Sequence, residues 1–292
     1  MKSFFILFTF VNILLGSITF SQVENVQLHH SVYTFLKEMK VKGIISFIRE
    51  DDPVISRFEV KDLLEKIAAQ VSELSNTEKK LLQKYRLEFS DSINPDTATQ
   101  LFNPQNNLFA DLDQMFTDKV KYLFAYQEAY NNIYMEWLGH FYHAQKFLPE
   151  NNVNSNLYDI GFRIRGTVFN HLGYNLTVFK GGVSGNKSIA EVIEPRLLTS
   201  FKWIEDSENI GNYDFNYGYL KYHTSPMQNM HIALQLGRED ITLGLGYGSK
   251  LILSGDNPTM DFLKFNFDYG MITFSSLHAS STGYFSFNVD ER

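Results

Sequence analysis

Residues 157–178 read LYDIGFRIRGTVFNHLGYNLTV. Their period is two. Tyr158, Ile160, Phe162, Ile164 and Val168 fall on one face; Asp159, Gly161, Arg163, Arg165 and Thr167 fall on the other. Successive strand side chains point to opposite sides, so this is a strand with one apolar and one polar surface. Asn170 and His171 make a short turn. Leu172, Tyr174, Leu176 and Val178 then share a face opposite Gly173, Asn175 and Thr177, completing a hairpin.

The same alternation recurs downstream. Tyr213, Phe215, Tyr217 and Tyr219 alternate with Asp214, Asn216 and Gly218, and Met230, Ile232, Leu234 and Leu236 with His231, Ala233, Gln235 and Gly237. Leu263, Phe265, Phe267 and Tyr269 alternate with Lys264, Asn266 and Asp268, and stretches near 119–127 and 131–146 are similar but less regular. Runs of about nine to eleven residues, apolar on one face and joined by short turns or long polar loops, are the pattern of a transmembrane β-barrel. A soluble β-sandwich also alternates, but its strands average about five or six residues. Arg163, Arg165, Lys264 and Asp268 on the polar faces suit a wet lumen. Aromatics make up 15% of the 292 residues, with 26 Phe and 16 Tyr, and strands favour them.

Ahead of the strands the pattern is helical. Leu28, Val32, Phe35, Leu36 and Met39 form one stripe, and Ser56-Arg57-Phe58-Glu59 and Ser75-Asn76-Thr77-Glu78 each have capping-box spacing. Helices are predicted at about 28–41, 57–71 and 76–89. Lys2, the apolar run Phe4 to Phe20, and small residues Thr19 and Ser21 before Gln22 read as a cleaved export signal over 1–21. The expected organisation is a signal (1–21), a helical domain (22–90), a linker (91–118) and sheet (119–292). The fold class is mainly β: an antiparallel transmembrane β-barrel preceded by a small N-terminal helical domain.

The net charge of −7 gives no basic face for nucleic acid, and zero cysteines exclude disulfides, thiolate metal sites and a Cys nucleophile. GREDITLGLGYGSKLILSGDNP (237–258) superficially resembles a phosphate loop, but Ser249 precedes Lys250 and Leu251 follows, so it fails the Walker pattern. Read with period two, Ile241, Leu243, Leu245 and Tyr247 oppose a stripe of Thr242, Gly244, Gly246, Gly248 and Lys250, flanked by Arg238. His140 and His143, three apart, point to opposite sides if they lie on a strand, which disfavours a shared metal. Gly182-Val183-Ser184-Gly185-Asn186 departs from a nucleophile elbow at its last residue and reads as a turn. Trp203, Tyr213, Tyr217 and Tyr219 have the chemistry to stack on sugars, although aromatics of a core or girdle account for them as well. The candidate polysaccharide-binding or lumen-lining residues are Arg163, Arg165, Trp203, Arg238, Tyr247 and Lys250. No catalytic or metal-ligating residue and no cofactor is predicted.

Several stretches in order resemble the Wzi-like capsule-assembly proteins of the bacterial outer membrane. These are VQLHHSVYTFLKEMKVKGII (26–45), SRFEVKDLLEKI (56–67), LSNTEKKLLQKY (74–85), LYDIGFRIRGTVFNHLGYNLTVFKGG (157–182) and GREDITLGLGYGSKLILSGDNPTMDFLKFNF (237–267). The family's Gly-Arg strand, Gly-Tyr-Gly run, Leu/Ser segment and Pro…Asp-Phe turn map to Gly237-Arg238, Gly246-Tyr247-Gly248, Leu251 to Ser254, and Pro258…Asp261-Phe262. The resemblance implies an outer-membrane barrel with a periplasmic helical part. It implies a lectin-like, non-enzymatic role on capsular or exported polysaccharide, with outer-membrane lipid and export machinery as further partners and no cofactor. Family members run longer, and the chain stops in polar sequence at Arg292. An open sheet in lipid leaves an unpaired edge, so the expectation is a partial barrel with its C-terminal strands missing, a closed barrel of eight strands being the alternative. The competing functions are a porin or channel for small solutes, an outer-membrane hydrolase, and a wall-anchoring helical module with the sheet as passenger.

Overall fold

The structure is a computed structural model that describes residues 22–28, 30–46, 48–90, 98–101, 117, 119–128, 130–147, 153–200, 203, 211–227, 229–244, 251–254 and 259–280. The export signal, most of the expected linker, and Tyr247 and Lys250 lie outside them. Three helices, α1 (Val32–Val41), α2 (Arg57–Ala68) and α3 (Asn76–Glu88), form the N-terminal unit. Helices α2 and α3 begin at Ser56 and Ser75, and both capping boxes are complete. Helix α1 begins at Val32 rather than near Leu28, and α2 ends at Ala68 rather than 71. Val32, Phe35, Leu36 and Met39 of α1 pack with Val60, Leu64, Ile67, Leu82, Tyr85 and Phe89 into one core. This unit follows the ordinary rule, apolar inside and charge outside.

Strand β1 (Ala98–Gln100), inside the expected linker, pairs in parallel with β2 (Val120–Tyr122). The main sheet comprises β3 (Phe124–Gln127), β4 (Asn132–Lys146), β5 (Val153–Val168), β6 (Leu172–Gly185), β7 (Gly211–Met227), β8 (Met230–Glu239), β11 (Met260–Tyr269) and β12 (Ile272–Ser280). Between β8 and β11 lie β9 (Thr242–Leu243) and β10 (Leu253–Ser254), paired only with each other. The eight strands form one antiparallel meander in the order β12-β11-β8-β7-β6-β5-β4-β3. Among the described residues this sheet is open, with β3 and β12 at its edges. No described helix is long and apolar enough to cross a membrane, which says nothing of strands.

The connections differ at the two ends. Turns at 169–171, 228–229 and 270–271 are tight, whereas 147–152, 186–210 and 240–259 are longer. Phe169 and Asn170 both have positive φ, 55° and 57°, and the His171 amide donates to the Val168 carbonyl at 3.2 Å. Two left-handed central residues match the twist of the flanking strands, so the hairpin closes with no slack.

Of the expected strand through 241–250 only 241–244 lies among the described residues, and Thr242–Leu243 there pairs with β10 rather than with the main sheet. The chain leaves after Glu239, and β11 takes the place beside β8. The Gly244 amide donates to the Asp51 carbonyl at 2.7 Å, which ties this residue to the helical unit.

Candidate functional site

The two faces of the sheet are inverted relative to a soluble protein. By register, Met135, Trp137 and Phe141 of β4 lie beside Ile164, Phe162 and Tyr158 of β5. The same face continues through Leu176 and Val178 of β6, Leu220 and Tyr222 of β7, Leu234 and Leu236 of β8, and Leu263 and Phe265 of β11. It is widely open: Trp137 is 61% exposed, Phe141 70%, Ile160 52% and Leu236 50%. Towards the long-loop end the band gives way to Lys180, Asp214, Asn216, Arg238 and Asp261.

The opposite, polar face is the covered one. Residues 22–25 run as a strap across it, and Glu24 is fully buried. Glu24 Oε1 accepts from Arg165 Nη1 at 2.9 Å, and Glu24 Oε2 from Thr167 Oγ1 at 2.8 Å. Arg165 reaches on to Glu136 (2.9 Å) and lies 4.6 Å over the Tyr134 ring, while Arg163 pairs with the other oxygen of Glu136. The Val23 amide donates to Thr167 Oγ1 at 2.7 Å. The strap lies so close to Gly173 that a Cβ there would meet the Glu24 nitrogen at 2.7 Å. Asn25 donates through its backbone amide to Tyr219 Oη (2.6 Å) and through Nδ2 to Gln235 (3.1 Å), and accepts from Lys221 (2.7 Å).

Further along, Asp52 accepts from Lys264 (2.5 Å), Asn266 (3.3 Å) and Ser275 (3.4 Å), while Arg49 pairs with Asp268 at 3.3 Å. Phe58 of α2 packs on the His223 ring at 4.8 Å. Charges this deeply buried persist because they are ion-paired or, like Lys221 on Asn25, hydrogen-bonded. Behind the strap, burial alone would lower the Arg57 guanidinium, and the Arg165 charge lowers it further. Burial works against the Glu88 carboxylate, yet its His30 hydrogen bond, with the charges of His30, Arg57 and Arg165, holds it below its usual range.

The long-loop half of this face is filled differently. Helix α4 (Lys187–Ile193), the 3-10 turn Pro195–Thr199 and Trp203 cover Leu157, Phe179, Val183, Tyr213 and Phe215. Asn186 caps α4 by accepting from the Ile189 amide, so the Gly182–Asn186 stretch finishes a strand and starts a helix. Trp203 donates to Glu191 at 3.0 Å and lies beneath Lys187. Burial alone would lower the Arg196 guanidinium, but the hydrogen bonds and charge of Glu194, with Asp240, hold it above its usual range.

Tyr213, Phe215, Tyr217 and Tyr219 therefore belong to the covered face, opposite to the open apolar band. Alternation pairs the residues of a strand but does not say which set faces out. On β7 the outward set near the long loops is Asn212, Asp214 and Asn216, the polar rim.

The structure brings Arg163 and Arg165 together in one ion network that the strap seals. Trp203 lies in the separate apolar cluster, with its ring buried. Arg238 is on the open face, bonded twice to Asp261 at 2.7 Å and solvent-exposed, so it does not line the covered side. His140 and His143 point to opposite faces, one bonded to Asp159 and the other to Asn156. Sequence reasoning missed Glu24 and Asp52, which hold the helical unit to the sheet. Their signal was faint, since a lone carboxylate in a polar stretch looks solvated. No family model matches this chain, and neither does any curated protein or solved structure.

Proposed function

We propose that the sheet is the wall of an outer-membrane β-barrel, its lumen plugged from the short-turn side by the helical unit. We further propose that the protein holds capsular or exported polysaccharide at the cell surface, without catalysing a reaction. One observation carries the membrane reading: the open face is apolar over six neighbouring strands while the covered face holds the charges. Water favours the reverse arrangement, and lipid favours this one. In such barrels short turns lie on the periplasmic side and long loops outside. That orientation puts the helical unit in the periplasm and α4 and Trp203 near the surface.

The plug supports a holding role over a conducting one. Glu24, Asn25 and Asp52 occupy the polar face where a solute path would run. The test uses the full chain with its own leader in a Gram-negative host. Recovery in the outer membrane, a heat-modifiable mobility, retention of a purified glycan and silent planar bilayers are expected. Recovery as a soluble periplasmic protein would overturn the membrane reading, and open-channel steps would replace the holding role with that of a porin.

A further inference from the structure

Above the plug, one part of the inward face is left uncovered. On β4, His140 and Tyr142 point to the same side as the buried Glu136, yet both are exposed, Tyr142 to 46%. Their rings lie 6.0 Å apart and nearly parallel, at 24°. On its other side His140 packs against Phe179 at 5.1 Å. Phe179 gets there because Gly161 has no side chain; a Cβ at that position would sit 2.6 Å from the Phe179 ring.

The His140 ring is also held at its edge. Asp159 Oδ1 accepts from His140 Nδ1 at 2.8 Å and from the His140 amide at 3.1 Å. Asp159 Oδ2 accepts from Tyr213 Oη at 3.2 Å. A carboxylate that only accepts assigns the ring proton to Nδ1, which leaves the Nε2 lone pair as an acceptor at the surface. The arrangement stands on paired strands rather than on a loop, so its geometry is rigid.

The arginines nearby are already matched, Arg163 with Glu136 and Arg196 with Glu194 and Asp240, and the Asp159 carboxylate lies at the edge of the platform. The surface thus offers an aromatic platform and a fixed acceptor beside a carboxylate, which disfavours an acidic group. A pyranose has an apolar C–H face and a rim of hydroxyl donors, which are the complements of these two features. We infer that Tyr142 and His140 form a subsite for a neutral hexose unit, with the sugar ring stacked on Tyr142 and one hydroxyl donating to His140 Nε2. Asp159 and Tyr213 are positioning residues that fix the His140 ring. This subsite rests on the polysaccharide-holding reading and gives it a place and a sugar class.

The experiment is binding of dextran, mannan, galactan and, as an acidic control, polygalacturonate to the full-length protein in detergent micelles, followed by saturation-transfer NMR. At least one neutral glycan is expected to bind, and polygalacturonate more weakly. Tyr142→Ala and His140→Ala should each weaken the neutral glycan at least tenfold, and Tyr142→Phe, which keeps the ring, less than threefold. Unchanged heat-modifiable mobility checks that each variant is folded, and Tyr142→Phe serves the same purpose at the site itself. Unaltered binding in both alanine variants would overturn the subsite and leave the holding role standing. Binding of polygalacturonate alone would overturn the neutral-sugar assignment. Binding of no glycan by the unaltered protein would overturn the holding role together with the subsite.

Discussion

The helical unit and the sheet obey opposite solvent rules within one chain. In the first, Leu36 and Met39 are fully buried and Lys37 and Lys66 stay at the surface. In the second, Ile160 and Leu236 stand open while Arg165 and Thr167 are buried. The two meet through polar groups: Glu24, Asn25, Arg49 and Asp52 satisfy the sheet's charges, and Phe58 on His223 adds a ring contact. A charged sheet face cannot be closed by a greasy surface, so the helical unit needed its own buried acids.

The hardest way to break this comparison is to remove the group that joins its halves. Glu24→Ala leaves Arg165 with Glu136 alone, and losing one partner of a buried pair costs about 3–5 kcal/mol. Chemical denaturation in micelles should show that loss, with protease sites in the helical unit opening first. Leu36→Ala tests the ordinary half; a fully buried leucine cut to alanine costs about 2–5 kcal/mol. Its loss should be the same with or without lipid, read from the unfolding midpoint in both settings.

Leu234→Arg sharpens the contrast. Arginine on the lipid face of a barrel costs about 2–4 kcal/mol at mid-depth, whereas an exposed leucine of a soluble protein accepts it within about 0.5 kcal/mol. Denaturation in lipid vesicles distinguishes these, and a loss below about 0.5 kcal/mol would break the inverted-face interpretation.

A smaller effect concerns acid. The Lys42 hydrogen bond, then those from Ser75, hold the Glu78 carboxyl down at about 2, against its ordinary 4.5. A carboxyl with a lowered folded pKa stabilises fully above its unfolded value and loses that contribution as pH falls from about 4.5 through about 2. Glu78→Gln should flatten this part of the stability profile between pH 5 and pH 2, measured by urea midpoints. The smallest change is expected from Arg238→Ala. Its bond to Asp261 is solvent-exposed, and such pairs contribute at most about 1 kcal/mol.

Much of the sheet was legible because alternation is written residue by residue. The hairpin 157–178, the alternating runs of β8 and β11, and both capping boxes stand where spacing put them. Facing was less legible. Tyr213 to Tyr219 alternate perfectly, yet they point inward: α4 and Trp203, from a loop with no period of its own, supply an apolar cover for Tyr213, Phe215 and Tyr217, and the strap covers Tyr219 through Asn25. The site was least legible. Arg163 and Arg165 read as lumen charges, but the partner that seals Arg165 is Glu24, 141 residues away, and Arg163 joins it only through Glu136 on another strand. The exposed ring pair of His140 and Tyr142 needs Phe179 and Asp159 from two other strands before it means anything.

That separation also sets an order in time. Strands β3 to β8 follow one another as hairpins, so each can pair as soon as its neighbour exists. The strap cannot. Val23 waits for Thr167, 144 residues later, Asn25 waits for Gln235, 210 residues later, and Asp52 waits for Ser275, 223 residues later. Contacts between distant parts of a chain form late, because loop-closure entropy must be met before they reward it. The first residues of the described chain to be synthesised are thus among the last to be seated. Until then the helical unit, with its own core, can wait folded on the near side while the charged face of the sheet stands wet.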